Sequence, residues 1–224
     1  MYTPKHFAEP ETDTLLQLIA AAPLGTLVVN SESGLEANHI PFIHEVRDDG
    51  SCVLRAHIPR ANPLSDLLRS ATPCLVIFNG PDGYISPSWY ATKQKHGRVV
   101  PTWNYSVAHA HGSVLVIDDP DWVLSQIHEL TERNEAARPE PWAVSDAPGN
   151  YTRALVSSLV GLEVTVSRIE GKTKASQNQP EENKASILGA MSKEQPDTAL
   201  SGLMRRVLDD ADSNQAPGGD EGQS

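Results

Sequence analysis

The chain has 224 residues, of which 39% are hydrophobic, and its formal net charge is −11. This length suits one large domain or a domain with a small appendage, and the acidic charge disfavours broad adhesion to DNA, which needs a positive surface. No apolar run is long enough to span a bilayer, and the N-terminus lacks the charged-then-apolar order of a signal peptide, so we expect a cytoplasmic protein.

The first half of the chain predicts one helix followed by strands in hairpin order. Thr12 or Asp13 precedes apolar residues at helical spacing, and the later apolar runs alternate or are bounded by turn residues. The turn at Asp48–Gly50 predicts that the second and third strands pair. The predicted elements are an extended arm over residues 1–11, a helix over Asp13–Ala22, strands over Gly25–Asn30, Leu35–Val46, Ser51–Ile58 and Cys74–Asn79, a short helix within Pro59–Thr72, and an extension of the last strand, after a turn, over Tyr84–Ser86.

The second half predicts two more strands and the C-terminal helices. About six strands in hairpin order with inserted helices indicate an antiparallel barrel in an α+β chain. No Gly-x-Gly-x-x-Gly run joins a strand to a helix, which argues against a Rossmann fold. The predicted elements are a strand over Tyr105–Asp118, a helix from Pro120 to Ala137, a Pro-rich connection over Pro139–Pro148, a strand over Leu159–Ile169, helices over Glu181–Met191 and Asp197–Ala211, and a disordered tail over residues 212–224.

The segment Gly80–Tyr105 combines aromatic and basic side chains. It holds two of the four tryptophans and three of the five tyrosines, together with two lysines and one arginine. Long loops in compact domains are usually functional or disordered, and flat rings beside cations suit a planar anion such as a nucleotide or flavin. We take Tyr84, Trp103 and Tyr105 as candidate ligand contacts. The structural alternative is a flap whose rings close the mouth of the barrel.

Polar side chains near two of the predicted strands are further candidates. His39 lies beside Pro41, which predicts an edge or a bulge in its strand. His57, Arg60 and Asn62 fall at a strand-to-helix junction, where free N–H groups and a guanidinium suit a phosphate. In the alternative interpretation, His39 and Arg60 are ordinary solvated residues and Asn62 only caps the helix.

The remaining candidates are a polar loop, two cysteines and a histidine pair. Lys174, Gln177 and Asn178 offer donors for phosphate, ribityl or ring atoms, although a solvated loop would have the same composition.

The two cysteines, Cys52 and Cys74, lie in apolar runs without zinc-site spacing, so we expect buried, reduced thiols. His109 and His111 share one strand face, but no acidic or Cys partner lies at a diagnostic spacing, so no metal site is expected.

Taken together, the motifs resemble those of the PaiB family, also called FMN-binding negative transcriptional regulators. They cover roughly residues 1–190, and although each is short, their occurrence in the same order is a specific signal. The matching stretches are Met1–Phe7, Asn38–Phe42, Ala56–Pro63, Gly80–Tyr90, Val100–Tyr105 and Lys174–Asn178.

The resemblance implies an antiparallel split β-barrel of the flavin-reductase and pyridoxamine-phosphate-oxidase type, with peripheral helices. It also implies a homodimer with FMN at the subunit interface. The barrel is expected over residues 1–170, with a polar loop and helices over 171–211 packed on it. By position, the residues expected around FMN are His39, His57, Arg60 and Asn62 near the flavin and its phosphate, Tyr84, Trp103 and Tyr105 beside it, and Lys174, Gln177 and Asn178 closing the site.

The function implied by the resemblance is negative transcriptional regulation. The chain has no evident helix-turn-helix, and its net charge of −11 gives no physical support for direct DNA binding. One alternative is a flavin-dependent reductase or oxidase that uses FMN and NAD(P)H, for which His57 and His109 are the only acid–base candidates. The other alternative is a flavin or haem sensor that acts through a protein partner.

Overall fold

The structure, a computed structural model, describes residues 1–213 as an antiparallel sheet with helices around it. Three short 3-10 turns lie at Lys5–Phe7, Pro87–Trp89 and Val144–Asp146. The strands are β1 (Ala8–Glu9), β2 (Leu24–Ser31), β3 (Gly34–Pro41), β4 (Ile43–Val46), β5 (Cys52–Pro59), β6 (Thr72–Ile85), β7 (Thr102–Ile117) and β8 (Leu159–Lys174). The helices are α1 (Thr12–Ala21), α2 (Leu64–Leu67), α3 (Lys93–His96), α4 (Pro120–Glu135), α5 (Gly149–Ser157), α6 (Glu181–Glu194) and α7 (Ala199–Ser213).

The sheet has the strand order β3-β2-β6-β7-β8-β5-β4, and β1 pairs with the end of β8. The predicted pairing across the Asp48–Gly50 turn is confirmed, because β4 and β5 are antiparallel with Ile43 opposite Arg55. The expectation of an antiparallel sheet in an α+β chain is therefore confirmed. Among the described residues, no helix is both long enough and apolar enough to cross a membrane.

The chain divides into two compact units, which share the three long strands β6, β7 and β8. The central unit comprises Glu11–Asn79 and Ala108–Glu170, and the terminal unit comprises Met1–Pro10, Gly80–Val107 and the described residues from Gly171 onward. The division predicted from the sequence, at residue 170, stays a prediction. The sequence also predicted a disordered tail over residues 212–224. Its first two residues belong to α7, and the others lie outside the described residues.

The core of the central unit follows from the alternation of its strands. In β2 the side chains of Leu27 and Val29 are buried while their neighbours are less so, as a strand with one face on a core requires. Helix α1 adds a stripe of apolar residues, including Leu15 and Ile19. Helix α4 begins where the sequence predicted, because the Asp119 carboxylate accepts hydrogen bonds from two backbone N–H groups of the first turn.

The terminal unit has its own apolar core. Ile85, Trp89 and Tyr90 from the aromatic segment pack with residues of α6 and α7, including Met191 and Met204. Trp89 and Tyr90 thus fill the core of their own chain, and the Trp89 indole N–H donates to Glu194 Oε1 at 3.2 Å.

The structure differs from the predicted elements in several places. The strand predicted over Leu35–Val46 is divided into β3 and β4. The turn expected after Asn79 is absent, because β6 continues to Ile85; at Gly83 an added Cβ would come within 2.6 Å of Leu200, so this glycine permits close packing. Strand β7 begins at Thr102 rather than at Tyr105, so the predicted loop has strand at both ends. Helix α5 was not predicted from the sequence; it has no side-chain cap and few buried residues.

Gly112 in β7 offers a test of the sheet packing. A Cβ at this position would lie 2.2 Å from the backbone oxygen of Thr165, which cannot rotate away. We expect Gly112→Ala to lower the free energy of unfolding by about 3 kcal/mol. Gly189→Ala is the control: an added Cβ meets nothing within 4 Å in α6, so this change is expected to stabilise the protein by about 0.5–1 kcal/mol. Urea unfolding measures both values, and an equal response would contradict the close approach.

Candidate functional site

Arg60 in the central unit is held by a set of polar contacts. Its guanidinium meets both oxygens of Asp118 at 2.7 Å and also donates to the backbone oxygens of Leu159 and Ser157. This pairing raises the pKa of Arg60 and lowers the pKa of Asp118. Arg60 therefore ties the end of β5 to the ends of β7 and α5, and a phosphate would have to compete with Asp118 for it.

Asn62, which follows at the same junction, also has its side chain engaged. Its Oδ1 accepts a hydrogen bond from the Leu64 N–H at 3.0 Å, which confirms the predicted capping role. Its Nδ2 donates to Asn38 Oδ1 of β3 at 3.2 Å. Helix α2 spans only four residues, so the predicted N-terminal dipole for a phosphate is weak.

The two predicted histidines of the central unit have separate partners. Nδ1 of His39 lies 3.0 Å from the Thr26 hydroxyl on the neighbouring strand, and the residue is exposed. Nδ1 of His57 lies 2.7 Å from the amide oxygen of Gln126, so this nitrogen carries the proton. Gln126 is fully buried, and its Nε2 has no hydrogen-bond partner among the described residues.

In the terminal unit, the predicted aromatic contacts lie at the surface. Tyr84 of β6 and Trp103 of β7 form an edge-to-face pair with ring centroids 6.3 Å apart, and each is about half exposed. The Trp103 N–H donates to Asp82 at 3.0 Å, which fixes the ring. Tyr105 lies two residues further along the strand, and Lys172 Nζ sits 5.3 Å from the centre of its ring.

The loop after β8 is shaped by Gln177. Its amide oxygen accepts from the Ala175 N–H at 2.7 Å, and its Nε2 donates to the Thr173 carbonyl at 2.6 Å. Ser176 has a positive φ of 62°, an uncommon conformation for a residue other than glycine. Gln177 thereby sets the backbone that presents its neighbours Ser176 and Asn178.

That loop forms one wall of a cavity of about 410 Å³ in the terminal unit. Three basic side chains face it, Lys174, Arg98 and His96, and no carboxylate of residues 1–213 does. Lys174 donates to the Thr102 hydroxyl, and burial lowers the pKa of this lysine. Within residues 1–213, neither Lys174 nor Arg98 makes an ion pair. The other lining residues are Phe7, Tyr90, Thr92, Val99, Val100, Pro101, Thr102, Ser176, Asn178, Gln179, Pro180 and Asn183.

The structure brings together only part of the predicted set. Lys174 and Asn178 share the cavity, and Arg98 joins them, although the sequence offered no way to distinguish it from the nearby Lys93 and Lys95. The sequence also missed an acidic neighbour of His109 and His111. Glu170 of β8 lies beside both imidazoles, and only the pairing of distant strand segments reveals it.

Comparison with known proteins places the chain among flavin-binding families. Residues 1–168 match the family described as "Putative FMN-binding domain". The chain belongs to this family. Membership of this family identifies FMN as the cofactor.

Two of its relatives have a fungal and a bacterial origin. An uncharacterized protein of Emericella nidulans is 35% identical, over 79% of this chain and 84% of its own length. The "Protease synthase and sporulation protein PAI 2" of Bacillus subtilis is 26% identical, over 94% of this chain and 97% of its own length. The resemblance to the PaiB family is therefore confirmed.

Solved structures confirm the fold. The "FAD and Heme binding protein" of Mycobacterium smegmatis matches with a TM-score of 0.56 and 19% identity, over 75% of this chain and 73% of that one. The "Flavocytochrome Anf3" of Azotobacter vinelandii matches with a TM-score of 0.55 and 14% identity, over 82% of this chain and 78% of that one. The family member described here has the expected antiparallel split β-barrel with peripheral helices.

The ion pair of Arg60 and Asp118 predicts a pH-dependent contribution to stability. The folded pKa of Asp118 is lowered, so the contribution is present above the unfolded pKa and is lost as the pH falls through the folded pKa, below about pH 4. We expect Asp118→Asn to lower the urea midpoint at neutral pH and to match the unsubstituted protein in acid. Glu140→Gln is the control, since Glu140 makes no ion pair in the described part of the chain. A deficit that persists unchanged in acid would contradict this assignment.

Proposed function

We propose that the protein binds FMN as a homodimer and holds the phosphate of the flavin in the cavity of the terminal unit. The observation that carries this proposal is the cavity itself, because cations line it and no carboxylate of the described part of the chain faces it. A phosphate carries close to two negative charges at neutral pH. Lys174 and Arg98 have no carboxylate partner in the described structure and so can neutralise this charge.

The cavity also offers neutral donors in a fixed arrangement. Ser176 and Asn178 project from the loop that Gln177 shapes, and Thr92 and Asn183 complete the polar wall. The Thr92 N–H donates to the Asn183 side chain at 3.0 Å, which fixes that part of the wall. A volume of about 410 Å³ lies in the range of small-molecule sites. Bound FMN would supply hydride and electron transfer.

The other predicted site residues fall into two groups in this proposal, one that contacts the flavin and one that only supports the site. Tyr84 and Trp103 present rings that are about half exposed, and Tyr105 presents a partly buried ring, on which an isoalloxazine could stack. His39 is exposed and suits a polar contact to the flavin. His57, Arg60 and Asn62 are engaged with protein partners, so we assign them the task of positioning the junction at which they lie.

Dimerisation rests on the exposed apolar residues of the terminal unit. Tyr2 is 86% exposed, and Val100, Tyr84 and Trp103 are at least about half exposed. Large apolar side chains that cluster at a surface are typical of protein interfaces, where Trp and Tyr supply most of the binding energy. A second copy of this chain is the occupant that the family resemblance indicates.

The proposal also includes a regulatory role. The relative from Bacillus subtilis carries sporulation in its name. The net charge of −11 opposes the phosphates of DNA, so we propose regulation through a protein partner rather than through direct contact with DNA.

The phosphate assignment is tested by comparing FMN with riboflavin, which lacks the phosphate. We expect Lys174→Gln and Arg98→Gln each to weaken FMN binding at least about tenfold. Both should leave riboflavin binding within about threefold, because neither cation contacts the ring system in this proposal. Quenching of flavin fluorescence on titration with protein measures the dissociation constants of both ligands for the unsubstituted protein and for the two variants.

Two further variants complete this experiment. Lys193→Gln removes an exposed lysine of α6 away from the cavity and is expected to leave FMN binding unchanged. Arg60→Gln is expected to lower the urea midpoint and to leave FMN affinity within about threefold, since Arg60 is paired with Asp118. If the Lys174 and Arg98 variants lost affinity for FMN and riboflavin equally, the assignment of the phosphate to the cavity would be contradicted. No binding of FMN at micromolar concentration would contradict the flavin assignment.

The interface is tested with two matched tryptophans. Trp103 is 51% exposed in the terminal unit and Trp142 is 48% exposed in the central unit. We expect Trp103→Ala to raise the dimer dissociation constant at least about tenfold and Trp142→Ala to leave it unchanged. Light scattering coupled to size exclusion, over a range of concentrations, gives the mass. A monomeric unsubstituted protein, or an equal effect of both changes, would contradict the proposed interface.

A further inference from the structure

The neighbouring strands β7 and β8 place two imidazoles and a carboxylate together in the central unit. His109 and His111 are two residues apart on β7, so their side chains lie on the same face. Glu170 of β8 directs its Oε1 toward both: His111 Nε2 is 3.2 Å away and His109 Nδ1 is 4.0 Å away. The ligand atoms of all three lie within 4.8 Å of one another.

These distances are close to those of a metal centre. A tetrahedral zinc ion with bonds of about 2.0–2.1 Å holds its ligand atoms about 3.3 Å apart. The 3.2 Å separation of His111 and Glu170 already matches this value, whereas His109 Nδ1, at 4.0 Å from Glu170, would have to move closer to bind the ion. All three residues are partly buried, with side-chain exposures of 18%, 30% and 26% for His109, His111 and Glu170. The cluster is therefore shielded but accessible to an ion.

Neighbouring residues hold Glu170 and the backbone of His111. Arg168 binds the other carboxylate oxygen of Glu170, Oε2, at 2.6 Å, while Oε1 faces the imidazoles. The Ser167 hydroxyl donates to the backbone oxygen of His111 at 3.1 Å and fixes β7 against β8 at this point. Hydrogen bonds of this kind, made by groups around the ligands, set ligand orientation in metal sites.

We propose that His109, His111 and Glu170 form a site for one divalent transition-metal ion of the zinc class, with a fourth position open to water or another ligand. Two histidines and one glutamate with an open position are a donor set found in zinc proteins. The neutral imidazole is the form of histidine that binds a metal ion. Imidazole nitrogen favours zinc and its neighbours in the transition series over calcium and magnesium, which prefer oxygen.

The proposal is tested on the full chain, treated with chelator and carrying no polyhistidine tag. Calorimetric titration with ZnCl₂ is expected to show one ion per chain. We expect His109→Gln and His111→Gln each to weaken binding on the order of 100-fold, and Glu170→Gln at least about tenfold. His128→Gln is the matched control, because His128 is a partly buried histidine of α4 outside the cluster; it should bind zinc as the unsubstituted protein does.

A spectroscopic measurement on the unsubstituted protein covers the case in which a variant does not fold. The electron paramagnetic resonance spectrum with one equivalent of Cu²⁺ is expected to show nitrogen hyperfine coupling from two imidazoles, and His109→Gln or His111→Gln should reduce it to one. Absence of zinc binding at millimolar ZnCl₂ would overturn the proposal, as would binding that none of the three substitutions affects. Either result would leave the trio as a hydrogen-bonded cluster.

Discussion

The antiparallel pairing of β8 is the constraint on which the described structure depends. From Leu159 to Val166 the strand runs opposite β5, and near its end it pairs with β1. This register decides which residues reach the core, because strand side chains alternate between two faces. It also carries Glu170 to the histidines of β7 and ends at Lys174, beside the loop of the cavity. A slip of one residue would exchange the two faces along the whole strand.

Charge pairing separates the polar groups that support the fold from those available to a ligand. Arg60 is satisfied by Asp118 and by backbone oxygens, whereas Lys174 and Arg98 face a cavity that is lined by no carboxylate from the part of the chain that the structure describes. A cation without an acidic partner can neutralise a phosphate without first breaking an ion pair, which favours the second group for ligand binding. In the proposed function, Arg60 therefore supports the fold, whereas Lys174 and Arg98 bind the phosphate.

Much of the fold was predictable because local patterns carry it. The alternating runs of β2 and β5, the turn at Asp48–Gly50 and the cap of α4 are all visible in the sequence. The errors arose where packing decides the conformation. The Gly80–Gly83 run looked like a turn but lies within β6, because Gly83 allows α7 to approach closely. Of the predicted site residues, Lys174 and Asn178 meet at the cavity, while Gln177 is occupied with its own loop.

The family, the antiparallel α+β class and the cofactor could be inferred from the sequence alone, because ordered motifs and alternating hydrophobicity are local properties of the chain. The three-dimensional structure was needed to see which polar residues are already paired. It showed that Arg60 has a carboxylate partner 58 positions away and that Lys174 has none among the described residues. It also brought Glu170 to His111 across 59 positions of sequence. Such contacts depend on strand register, which no single segment of the chain encodes.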